Sequence, residues 1–90
     1  MPINIYLADS FEKLEWLCEE VWDLPTQIDV LETWLSHKGK DLEPNRYVAD
    51  IGFCMRKDAS GGGGSLNAAS MLIMGQIGMD LFFSEYGFVD

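Results

Sequence analysis

Apolar residues recur at every second position near the start of this chain and again past its middle, and that alternation constrains the fold more than any single motif. Ile3, Ile5 and Leu7 alternate with Asn4, Tyr6 and Ala8, the pattern of a strand with one face on a core and the other in water. Further on, Tyr47, Ala49, Ile51, Phe53 and Met55 line one face of a longer strand, and Val48, Asp50, Gly52, Cys54 and Arg56 line the other. A terminal strand is expected from Asp80 to about Phe88. Strands with one apolar face need a covering layer, and the intervening segments offer it at helical spacing.

Asp9-Ser10 with Glu12 three residues after Asp9 reads as a helix N-cap and its capping-box partner, which predicts a first helix from about Ser10 to Asp23. On it Phe11, Leu14, Leu17, Cys18, Val21 and Trp22 share one arc, the expected core face. A second helix is expected from Thr26, with Ile28, Val30, Leu31, Trp34 and Leu35 on one arc and Gly39 as a left-handed stop. A third, roughly Leu66 to Gly78, is apolar nearly all round through Met71, Leu72, Ile73, Met74 and Ile77. That pattern predicts burial, centrally or in a contact between subunits, and Gly75 and Gly78 predict close approach by a neighbouring backbone.

The expected architecture is α+β or small α/β: one domain over residues 1–90, in the order β-α-α-β-α-β, with a three-stranded sheet packed by helices. Ninety residues support one hydrophobic core and no more. Between the second strand and the third helix runs Ser60-Gly61-Gly62-Gly63-Gly64-Ser65. Such a run is a flexible natural loop or an engineered tether, and the sequence leaves both readings open. As a phosphate cradle it lacks the lysine of the P-loop pattern, and no dinucleotide fingerprint is present.

Charge bounds the function. Fifteen Asp and Glu oppose six Lys and Arg, a formal net charge of −9, and ten of the acids fall in residues 1–44 against three bases. Such a field repels nucleic-acid and lipid phosphates and attracts basic proteins, so neither direct nucleic-acid binding nor a membrane partner is expected. Cys18 and Cys54 are read as reduced, buried thiols in a cytoplasmic protein. His37 is the lone histidine and assembles no nucleophile–base pair, and no metal or cofactor site is legible, so no enzyme is expected. Asp50, on an otherwise small or apolar strand face, is a candidate for pairing with Arg46 or Arg56.

Trp16 falls among the acids on the polar side of the first predicted helix, where an aromatic of that size carries information. Trp is enriched at the centres of protein interfaces. The expected binding face is therefore Trp16 with Glu12, Glu19, Glu20, Asp23, Asp29 and Glu32. Its partner would be a basic protein such as a nuclease, a toxin or another nucleic-acid-handling enzyme, and the chain an inhibitor of the immunity-protein, antitoxin or phage-inhibitor type. In length, acidity and element order the chain is similar to the barstar type of ribonuclease inhibitor. A second expectation is a structural subunit, a homodimer or larger homo-oligomer joined through the apolar third helix and the terminal strand residues Leu81, Phe82, Phe83, Tyr86 and Phe88.

Overall fold

A computed structural model describes residues 2–58 and 60–87, so Phe88 lies outside the described residues. The elements are β1 (Ile3–Leu7), β2 (Lys13–Leu17), α1 (Leu24–His37), a single 3-10 turn (Gly39–Asp41), β3 (Tyr47–Cys54), α2 (Ala68–Ile77) and β4 (Met79–Tyr86). The fold is α+β, with two helices and one four-stranded mixed sheet in the order β2-β1-β3-β4. The order β-β-α-β-α-β replaces the expected β-α-α-β-α-β, and with it goes the likeness of element order to the barstar type.

The main correction concerns residues 10–23, where the expected helix is a hairpin strand and two loops. Asp9-Ser10 opens a turn: Phe11 donates its N–H to the Leu7 carbonyl at 2.8 Å, Leu7 donates to Glu12 at 2.9 Å, and Ser10 Oγ accepts from Glu12. Phe11 at φ 58° and Cys18 at φ 56° bound the segment with left-handed residues that no α-helix propagates through. Between them β2 pairs antiparallel with β1, Leu17 opposite Ile3 and Glu15 opposite Ile5, with a bulge near Leu14. Leu14, Leu17, Cys18 and Val21 satisfy a helical spacing, while Lys13-Leu14-Glu15-Trp16 alternates polar with apolar as a strand would. A neighbouring strand with free hydrogen-bonding groups decides between the two.

The later helices form nearly where expected, with different ends. Asp23, not Thr26, caps α1: its carboxylate accepts from the Thr26 N–H at 3.2 Å, and Pro25 sits in the first turn, where its missing N–H leaves no bond unmade. Gly39 is no left-handed stop. It begins the 3-10 turn, and a Cβ there would come within 2.9 Å of the Trp34 ring, so close packing is what requires glycine. Helix α2 is capped by Asn67, which accepts from the Ser70 N–H at 2.7 Å, and ends at Gly78 in the left-handed conformation at φ 83°. There a side chain would collide with the Asn45 carbonyl.

Ile3, Ile5, Tyr47, Ala49, Ile51 and Met79 point to one face of the sheet and form the core with Ile28, Leu31, Trp34 and Leu35 of α1 and Met74 and Ile77 of α2. Gln27 is fully buried and ties α1 to its surroundings, donating Nε2 to the carbonyls of Val21 and Gly52, each at 2.7 Å. Antiparallel β1 and β3 are joined through α1; parallel β3 and β4 need a crossover, and α2 makes it. Helix α2 is not buried all round: Ser70, Met74 and Ile77 face in, while Met71 and Leu72 are exposed and Gly75 has open space at its Cβ position. Parts of the glycine run touch the rest of the fold. Arg56 donates to the Gly61 carbonyl at 2.7 Å, and Gly64 lies against Leu24 and Ile28 of α1.

Candidate functional site

Both helices lie on one face of the sheet, and register fixes what is left on the other. One row across the four strands is Trp16, Asn4, Asp50 and Phe82; the next is Lys13, Tyr6, Val48 and Asp80. No helix covers these rows. Val48 is buried by its neighbours, whereas Trp16 and Phe82 remain 41% and 47% exposed. The β1–β2 turn folds Phe11 over this face, where its ring stacks on Tyr6 at 6.1 Å between centroids. Lys13 holds its ammonium 5.1 Å from the Trp16 ring centroid. The result is an aromatic surface of Tyr6, Phe11, Trp16 and Phe82 with carboxylates in and around it.

Asp50 sits in the middle of that surface. Neither arginine named as its expected partner reaches it: Arg46 pairs with Asp9 at 3.0 Å, and Arg56 is turned to the glycine loop. Ser84 of β4 donates its hydroxyl to Asp50 instead, at 2.7 Å. Next to it the Asn4 side-chain oxygen is buried without a donor among the described residues. That oxygen is sealed from solvent, so it is a cost to the fold rather than an acceptor open to an incoming donor.

The six acids and one aromatic expected from sequence do not form one cluster. Trp16 lies on the uncovered face. Glu12 is exposed in the turn before β2, and Glu19 and Glu20 are exposed in the loop after it, so these three bracket the strand that carries Trp16. Asp23 follows that loop but is committed to capping α1. Its hydrogen bonds with Thr26 hold its carboxyl below the ordinary aspartate range. Asp29 and Glu32 belong to α1, on the opposite side of the sheet from Trp16. Glu32 is a brace between helices, accepting from the Asn67 N–H at 2.7 Å and the Ser70 hydroxyl at 3.1 Å.

Tyr6, Phe11 and Phe82 were not named from sequence as parts of this face. The signal that locates Tyr6 is the alternation of β1, since the residues opposite Ile3 and Ile5 in phase must face away from the core. Phe11 carried no such signal, because its placement depends on a left-handed turn.

Other features offer less chemistry. A cavity of about 450 Å³ lies between the start of α1 and the end of β3, lined by Asp23, Leu24, Phe53, Met55, Arg56 and Gly62 among others. It joins a helix N-terminus, a glycine loop and a basic residue, but Asp23 already occupies the first-turn N–H of Thr26 and Arg56 is bound to Gly61. His37 is exposed in the last turn of α1 with Nδ1 2.8 Å from the Thr33 carbonyl. Burial, with help from the Asp23 charge, pushes the Cys18 thiol up, away from the reactive thiolate. Among the described residues no group of three His, Cys, Asp or Glu side chains is placed to hold a metal ion, and no helix is long and apolar enough to cross a membrane.

Comparison of the chain with protein-family models, curated proteins and solved structures found no match.

Proposed function

We propose that this chain is a non-enzymatic, cytoplasmic binding module that masks a basic surface on a protein partner, in the manner of an immunity protein, an antitoxin or a phage-encoded inhibitor of a nuclease or other nucleic-acid-handling enzyme. The observation that carries the reading is Trp16. It is a large aromatic left exposed on the uncovered face of the sheet, between loops that present Glu12, Glu19 and Glu20. Aromatic anchors inside a polar rim hold interfaces together, and the surrounding field draws in the partner of opposite sign. With a net charge of −9, that partner is basic.

In this reading Trp16 and Phe82 supply the apolar contact, Asp50 accepts from a cationic side chain, and Glu12, Glu19 and Glu20 steer approach. Asp23, Asp29 and Glu32 contribute charge at a distance and structure at close range. The test is capture from nuclease-treated extract on immobilised protein, eluted with a salt gradient, comparing the native chain with Trp16→Ala and with Glu19→Lys combined with Glu20→Lys. The expected result is a basic protein released by salt from the native chain and missing from both variants. Equal capture by all three would remove this face from the function.

A further inference from the structure

The sheet has two edges, and they differ in charge. At the β2 edge the strand is five residues long, bulged, and bracketed by Glu12, Glu19 and Glu20. Those are the devices that keep an edge from pairing with another chain. The β4 edge has few of them. It is eight residues long, its pairing with β3 runs in unbroken register, and it carries Phe82, Phe83 and Tyr86 at about half exposure with acids only at Asp80 and Glu85.

Backbone direction on β4 follows from one bond. The Tyr86 carbonyl accepts from the Met55 N–H just past the end of β3, so even-numbered residues of β4 turn their backbone groups inward. Strand alternation then turns the N–H and C=O of Leu81, Phe83 and Glu85 outward, and no described strand lies beyond them.

We infer that this edge is a self-association site, at which β4 pairs antiparallel with β4 of a second copy to make a continuous eight-stranded sheet. A two-fold axis normal to the sheet at Phe82 places Phe82 opposite Phe82, Leu81 opposite Phe83, Asp80 opposite Ser84 and Glu85 opposite Met79. No acid then faces an acid, the aromatic row is continuous, and Leu81 and Phe83 exchange backbone hydrogen bonds. A register centred between Phe82 and Phe83 would set outward-turned odd residues against inward-turned even ones, and the backbone excludes it. Joining two chains of charge −9 is least costly where the acidic β2 edges are farthest apart, and the order β2-β1-β3-β4 makes the β4 edge that place. The site shares Phe82 with the proposed binding face but not Trp16, Glu12, Glu19 or Glu20, which lie at the other edge, so loss of self-association and loss of partner capture are read separately.

Sedimentation of the full chain over a wide concentration range tests the inference. The expected result is a reversible doubling of mass for the native protein and for Trp16→Ala, and a monomer for Phe83→Pro. That substitution removes one outward N–H and leaves the inward ladder intact. Phe83→Lys, which keeps the backbone free, gives the same loss by charge if the proline variant does not fold. Facing residues in a non-hydrogen-bonded antiparallel pair lie within disulfide range, so Phe82→Cys with Cys18→Ser and Cys54→Ser should form a covalent dimer on mild oxidation. A native chain that stays monomeric at the highest concentration overturns the inference. So does a dimer that persists in both folded Phe83 variants.

Discussion

Asp23 and Gln27 lie one turn apart at the start of α1 and hold it in different ways. Asp23 caps the helix from the surface, and its lowered carboxyl means that the ionised form is the one the fold favours. Its contribution is therefore present at neutral pH and is lost as the pH falls below the ordinary aspartate range and through the lowered value. Asp23→Ala should cost about 1 kcal/mol in urea unfolding at pH 7, and the gap to the native protein should close as the pH is taken towards 2. A gap that stays constant with pH would show that the carboxylate charge has no part in the cap. Gln27 acts from inside, with Nε2 shared between two carbonyls and Oε1 buried without a donor among the described residues. Gln27→Leu strands both carbonyls, an expected loss of about 1–3 kcal/mol by the same measurement, in spite of the apolar replacement.

At the scale of elements, the crossover from β3 to β4 depends on how α2 stops. Gly78 takes a left-handed conformation and brings its Cα against Asn45, whose own N–H donates to the Ile77 carbonyl at 3.0 Å. Gly78→Ala is expected to destabilise the fold by about 1–3 kcal/mol, from backbone strain and from the displaced Asn45, read as a lower denaturation midpoint with an unchanged slope. Gly75→Ala, at a position with open space, should instead stabilise α2 slightly.

These ends also show what a sequence discloses. The strands at Ile3–Leu7 and Tyr47–Cys54 are legible because alternation is written locally, and the helix at Ala68–Ile77 because an uncharged, mostly apolar run follows the glycines. Lys13–Leu17 is not, because its apolar spacing serves a helix as well as a strand, and only the edge of β1 settles the choice. The candidate site suffered most from that. Trp16 is exposed, but a helical wheel gives it the wrong neighbours, whereas register sets it in the row of Asn4 and Asp50. Glu32 looked like free charge because its partners, Asn67 and Ser70, are distant in sequence.

For the whole molecule, the sheet separates two tasks that the sequence ran together. The helices fill one face with core, and the opposite face keeps Phe11 and Trp16 exposed near the acidic β2 edge and Phe82 exposed at the other. If the chain masks a basic partner as proposed, that division gives the two kinds of residue different kinetic roles. Exposed acids that lie outside the contact steer approach and act on the association rate, while a buried anchor acts on dissociation. The most direct measurement is the association and dissociation rate of the captured basic partner as a function of salt, for the native chain, for Glu19→Lys with Glu20→Lys, and for Trp16→Ala. The account predicts an association rate that falls steeply with salt and is lowered by the charge reversal. It also predicts at least a tenfold faster dissociation for Trp16→Ala, about 1.4 kcal/mol or more, with the salt slope unchanged. An association rate indifferent to salt, or a Trp16→Ala complex as long-lived as the native one, would contradict it.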